Sequence, residues 1–410
     1  MGSLDTNPTA FSAFPAGEGE TFQPLNADDV RSYLHKAVDF ISDYYKSVES
    51  MPVLPNVKPG YLQDELRASP PTYSAPFDVT MKELRSSVVP GMTHWASPNF
   101  FAFFPSTNSA AAIAGDLIAS AMNTVGFTWQ ASPAATEMEV LALDWLAQML
   151  NLPTSFMNRT GEGRGTGGGV ILGTTSEAML VTLVAARDAA LRRSGSDGFR
   201  HHLDGVERVD SISMSPHKWL MTCLDCTCLY VRDTHRLTGS LETNPEYLKN
   251  HASDSGEVTD LKDMQVGVGR RFRGLKLWMV MRTYGAGKLQ EHIRSDVAMA
   301  KTFEDLVRGD DRFEVVVPRN FALVCFRIRP RKSGAAIAAG EAEAEKANRE
   351  LMERLNKTGK AYVAHTVVGG RFVLRFAVGS SLQEERHVRS AWELIKKTTT
   401  EIVADAGEDK

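Results

Sequence analysis

Three short apolar runs near the middle of the chain, Val170-Ile171-Leu172, residues 211–214 and residues 227–232, restrict the fold more than any other feature. The first follows a glycine-rich run and leads into a stretch expected to be helical over residues 175–193. Between that helix and the second run there is room for one short helix and nothing more. A parallel sheet is written as strand–helix units of about thirty residues or more. The spacing therefore predicts an α/β lobe with no further strand–helix unit between its first two strands.

At 410 residues the chain can bury a large core and form two or more lobes. A net charge of -4 argues against nucleic acid or an anionic membrane as partner. The longest apolar stretch, residues 110–122, is interrupted by Asp116 and too short to span a bilayer. Met1-Gly2 with Thr6 fits a myristoylation pattern, but no polybasic segment follows, and one acyl chain anchors only marginally. Cys223, Cys226 and Cys228 crowd one run, with Cys325 elsewhere, and no second pair is spaced to complete a zinc site. Cys226 and Cys228 instead read as one face of a buried strand, and no metal is expected. The cytoplasm is the expected compartment.

Residues 1–22 read as a loose, disordered arm. Asn26 then caps a helix whose apolar positions Val30, Leu34, Val38, Ile41 and Tyr45 form one stripe. Pro52, Pro55 and Pro59 make the following connector extended. A lone stripe needs a cover, so residues 23–90 are expected to pack on a partner chain. Residues 91–283 form the larger lobe and 284–405 a small α+β lobe, with 406–410 as a tail. The small lobe's strands are expected at 314–317, 323–328, 362–366 and 372–376, with a helix over 335–357.

Two features carry chemistry. Gly167-Gly168-Gly169, an apolar strand and then Thr174-Thr175-Ser176-Glu177 suit a phosphate, which backbone N–H groups and hydroxyls at a helix start would hold. The same residues also read as an ordinary capping box, Thr174 with Glu177. The second feature is Ser215-Pro216-His217-Lys218-Trp219-Leu220, which sets a lysine between two strands. Such a lysine is either a snorkelling surface residue or, when desolvated, a nucleophile towards an aldehyde cofactor.

Ser211-Ile212, then Lys218-Trp219-Leu220, Leu224, Cys226, Leu229 and Arg232 resemble the cofactor-attachment signature of the group II pyridoxal-phosphate decarboxylases. Pro59-Gly60-Tyr61-Leu62, Thr93-His94-Trp95, the run from Pro98 to Pro105, and Gly126-Phe127-Thr128-Trp129 resemble its plant aromatic branch. Arg270-Arg271-Phe272-Arg273 with Leu275-Lys276-Leu277-Trp278 adds to that likeness. The resemblance implies the aspartate-aminotransferase type of fold (fold type I), pyridoxal 5'-phosphate as cofactor, a homodimer, and decarboxylation of an aromatic L-amino acid. It makes residues 91–283 the cofactor-binding lobe.

Carried over by position, the resemblance makes Lys218 the lysine that holds the cofactor. Thr175, Ser176 and Ser215 would bind its phosphate, with Thr174 as cap, although many animal relatives have Asn where Ser215 stands. His217 would lie beside the substrate. Trp95, Phe103, Pro105 and Phe127 would line the aromatic pocket, some across the dimer interface, while Phe100 and Phe101 read as core. Tyr247, in a polar stretch that looks like a lid, would return a proton to the α-carbon, and relatives with Phe there lean towards aldehydes. Gly269 stands where tyrosine-using relatives tend to carry Ser, which favours tryptophan and tryptamine over tyrosine or dopa.

The likeness stops at Gly198 and resumes at Phe199, which implies that the central sheet is incomplete. With the lost segment go the family's ring-stacking histidine, a threonine near the cofactor, and the aspartate that holds the ring nitrogen. Little decarboxylase activity is therefore expected of this chain, and Val170–Leu172 and residues 211–214 are expected to show apolar faces uncovered. The other readings are a non-catalytic dimer partner and an aldehyde-forming relative.

Overall fold

The computed structural model describes residues 25–408 apart from 67–73, 161–162, 180–204, 243–247, 249–252, 254, 256–257 and 331–339. The Gly198–Phe199 junction, Tyr247 and most of the helix expected to 193 lie outside the described residues.

Asn26 caps helix α1 (Ala27–Ser47) as its side chain predicts, accepting hydrogen bonds from the amides of Asp28 and Asp29. No residue of α1 is buried, and Val30 and Val38 on its apolar stripe are exposed, as is Tyr33 beside it. Helices α2 (Ala110–Met122) and α3 (Pro133–Met149) follow, then strand β1 (Gly168–Leu172), strand β2 (Ser211–Met214), the single turn α4 (Pro216–Trp219) and strand β3 (Thr227–Val231).

These strands form a sheet in the order β1-β3-β2, with β3 antiparallel to both neighbours. The period-two alternation of β1 and β3 divides their side chains between two cores. Ile171, Cys228 and Tyr230 face α2 and α3, together with Leu143, Leu146 and Leu277. Val170, Leu172, Leu229 and Val231 face Leu237, Leu261 and Met264. Cys226, just before β3, and Cys228 within it are wholly buried and form no disulfide.

The expected exposure of Val170–Leu172 is wrong: all three are fully buried. The outer edge of β1 is closed by side chains. Glu139 accepts the Ile171 amide at 2.8 Å, and Arg270 pairs with Glu139 while reaching the Ile171 carbonyl. The expectation for β2 is met only in its open edge, since its apolar residues Ile212 and Met214 pack against the core of α2 and α3. Its residues are only partly buried, with Ser213 exposed, and among the described residues β3 is its sole strand partner.

Helix α5 (Arg273–Arg308) joins the lobes and is broken by Gly285, at φ 70°, where a residue with a side chain would be strained. Beyond it, β4 (Phe313–Val315), β5 (Leu323–Ile328), helix α6 (Glu341–Lys357), β6 (Ala364–Val368), β7 (Arg371–Ala377) and helix α7 (Glu385–Glu408) complete the small lobe. Its sheet is antiparallel in the order β4-β5-β7-β6. The strand expected at 362 begins two residues later. Tyr362 does pair, but with the larger lobe: its amide donates to Asn99, and its carbonyl accepts from Phe101. Phe100 and Phe101 are fully buried, as expected of core residues.

Candidate active site

The two ends of the sheet that lie far apart in sequence meet at three hydroxyls. Thr175 Oγ1 lies 2.9 Å from Ser215 Oγ, which lies 3.0 Å from Thr227 Oγ1. Thr175 sits at the start of a helix following β1, and that start is capped: Thr174 Oγ1 accepts the Glu177 amide, and Glu177 accepts the Gly173 amide. The capping-box reading of this segment is therefore met, and the cap does not use the Thr175 hydroxyl. Ser176 is exposed beside the cluster in sequence. Thr227, absent from the sequence reading, is an ordinary strand residue until β3 is placed beside Ser215.

Lys218 follows Ser215 by three residues on α4, which its amide joins by a bond to the Ser215 carbonyl. Its side chain is exposed rather than enclosed, because the strand leading into α4 is an edge strand among the described residues. His217 is turned inward and 4% exposed, with Nδ1 2.6 Å from the Cys226 carbonyl and 3.1 Å from its amide. Burial holds its imidazole below the ordinary range, with the Cys226 bond working against that. Inside this chain it anchors α4 more than it lines a pocket.

The aromatic residues form a separate stack. Trp95 lies 4.5 Å from Phe100 and 5.7 Å from Phe103, ring to ring, and Phe103 meets Tyr362 edge-on. Trp95 and Phe103 are both partly open to solvent. Pro105 is buried next to Gly379, which also borders Trp219. Phe127 is half-buried and its carbonyl accepts the Lys262 amide. Gly269 is exposed, and a Cβ built there would meet nothing within 4 Å.

The residues present fit pyridoxal phosphate at two points. Hydroxyls at a helix start suit its phosphate, and an open lysine one turn away suits its aldehyde. At the ring nitrogen the described residues offer less, since three acids beside the sheet are engaged elsewhere. Asp225 is bound by Arg273 at 2.7 and 3.0 Å; burial would raise its carboxyl, but Arg273 and Lys276 outweigh that and hold it below the usual range. Glu139 is paired with Arg270, and Asp260 accepts the Trp129 amide.

The profile of the pyridoxal-dependent decarboxylase conserved domain matches residues 59–198 and 195–329, two segments that meet where the resemblance breaks. Tryptophan decarboxylase 1 of Oryza sativa subsp. japonica is 75% identical, with 98% of this chain and 100% of that protein covered. That identity is counted over 515 positions against 410 residues in this chain, so about a hundred positions of that relative have no counterpart here. An aromatic-L-amino-acid decarboxylase of Catharanthus roseus is 42% identical, with 99% and 100% covered. The structure is similar, at a TM-score of 0.88 and 72% identity, to a crystal structure of Oryza sativa TDC with PLP and tryptamine, covering 93% of this chain and 100% of that one. The hydroxyl cluster, the lysine turn and these matches agree, and the chain belongs to the pyridoxal-dependent decarboxylase family.

Proposed function

We propose that this chain is a carboxy-lyase that converts L-tryptophan to tryptamine and CO2, slowly in its present form. The observation that carries the reading is the Thr175–Ser215–Thr227 hydroxyl cluster one turn from Lys218, in a chain so similar to a tryptophan decarboxylase. Thr175, Ser176 and Ser215 would hold the phosphate of the cofactor, and Lys218 would be the amine that meets its aldehyde. The bound cofactor supplies the electron sink for the pair left on the α-carbon as CO2 departs. Tyr247 returns the proton to that carbon, which favours amine over aldehyde.

Trp95, Phe103, Pro105 and Phe127 select a flat side chain, and Gly269 leaves room for the second ring of an indole. His217 steadies the lysine turn and borders the substrate. The slow rate follows from a sheet with β2 open and from the commitment of Asp225 and Glu139 to arginines.

The working form is a homodimer in the cytoplasm. The exposed stripe of α1 supports the first part, as does the apolar groove of about 700 Å³ bordered by Val38, Ile41, Ile113, Leu117 and Leu382. Four free cysteines are consistent with a reducing compartment. Residues 23–90 supply the dimer arm, 91–283 the cofactor lobe and 284–405 the small lobe.

The test is formation of tryptamine from L-tryptophan with added pyridoxal phosphate, by this chain and by Lys218→Ala. Slow formation that Lys218→Ala abolishes is expected. Equal formation by both would overturn the assignment of Lys218, and release of aldehyde with peroxide would overturn the amine.

A further inference from the structure

The residues on either side of Lys218 are tied to different lobes. On a helical turn successive side chains diverge by about 100°, so those at 217 and 219 leave α4 in nearly opposite directions, with that of 218 between them. His217 is held by the Cys226 backbone, and its carbonyl accepts the Thr107 amide at 2.9 Å, both within the larger lobe. Trp219 crosses into the small lobe. Its indole packs against that lobe's core, meets Phe321 edge-on at 6.0 Å, and donates from Nε1 to Asp296 Oδ2 at 2.6 Å.

Asp296 lies on α5, beyond the break at Gly285, and is 1% exposed. His292, one turn earlier, brings Nε2 to 3.5 Å from the same oxygen. An indole N–H can only donate, and the Asp296 carboxyl offers it an acceptor oxygen with or without its proton. No metal, phosphate or substrate group is needed to explain a buried acid at this place. It meets the neighbour of the cofactor lysine.

We propose that Asp296 is a positioning residue for Lys218, acting through Trp219. By holding the indole it docks the small lobe against α4 and fixes the direction in which the lysine leaves the turn. The inference rests on the reading of Lys218 as the cofactor lysine, and it assigns the small lobe a part in aligning that amine.

The test compares Asp296→Ala, Asp296→Asn and Trp219→Phe in the full chain. Asparagine keeps an acceptor oxygen at the same distance, and phenylalanine keeps a ring but removes the donor. Each protein is incubated with excess pyridoxal phosphate, reduced with borohydride and digested, and the pyridoxyl label on Lys218 is measured against that on surface lysines. Labelling of Lys218 is expected to fall about tenfold in Asp296→Ala and in Trp219→Phe, the loss of one buried hydrogen bond with its partner left unpaired, and to stay near the starting level in Asp296→Asn.

Starting-level labelling in both Asp296→Ala and Trp219→Phe would overturn the link, as would an Asp296→Asn as poor as the alanine. If Asp296→Ala does not fold, Trp219→Phe decides. Absence of preferential Lys218 labelling in the unsubstituted chain would count against the cofactor assignment instead. The link is then read without cofactor, by hydrogen exchange over residues 215–221. Faster exchange in Asp296→Ala and Trp219→Phe, but not in Asp296→Asn, supports it, and unchanged exchange in the first two overturns it.

Discussion

Thr175 and Ser215 are forty residues apart in the chain, yet their side-chain oxygens lie 2.9 Å from each other. Strand β3 makes this possible, because it pairs with β1 on one side and β2 on the other and so aligns the ends from which both residues emerge. Replacing both, as Thr175→Val with Ser215→Ala, should weaken pyridoxal-phosphate binding at least tenfold, since each hydrogen bond to a charged group is worth about 1.5–3 kcal/mol. A fluorescence-quenching titration measures this, and an unchanged dissociation constant would remove the phosphate from this cluster.

Gly269 offers a clean test of substrate choice. Its backbone is not in the left-handed region, and the space around it is open, so Gly269→Ser should leave the melting temperature within about a degree. The ratio of kcat/KM for tryptophan to that for tyrosine should fall about tenfold or more, in line with about 1–3 kcal/mol for one group in a pocket. A constant ratio would mean that position 269 does not face the substrate ring.

Burial raises the Asp296 carboxyl to about 7, against a partial lowering by the Trp219 bond. Its folded value lies above its unfolded one, so its contribution to stability is full at low pH and is lost as pH climbs towards 7. The stability of the unsubstituted chain relative to Asp296→Asn should therefore decline between about pH 4 and 7, by on the order of 1 kcal/mol per pH unit. His292, lowered by burial, works in the opposite sense in both proteins, which is why the difference is measured. Denaturant melts at four pH values suffice, and a difference that grows with pH would show the acid to be stabilised in its charged form.

The open edge of β2 invites pairing with another chain. Ser213→Lys, at the exposed position of that strand, should reduce light scattering on storage several-fold without altering the circular dichroism. Undiminished scattering would place the sticky surface elsewhere.

Much of this architecture was legible in the order of residues. The three apolar runs of the larger sheet, the cap at Asn26, the buried pair Phe100 and Phe101 and the capping bonds at Thr174 all follow from local pattern. What was not legible depends on pairs distant in sequence. Glu139 and Arg270, 131 residues apart, seal the edge of β1 and keep Val170–Leu172 dry. Tyr362 looks like the start of a strand because it does pair, though with Asn99 and Phe101 of the other lobe. Trp219 and Asp296 are 77 residues apart, and neither residue type announces the other. Thr227 joins the hydroxyl cluster only through its place beside Ser215.

The most direct test of the account is the rate of tryptamine formation from L-tryptophan by this chain, set beside a version with a relative's middle segment inserted at Gly198–Phe199. The restored form should turn over, and the 410-residue chain should be about a hundredfold slower or worse, the loss expected when a preorganised partner worth about 3–4 kcal/mol is missing. Comparable rates from the two forms would contradict it, and would mean that the shortened sheet and the residues around Lys218 are sufficient for catalysis.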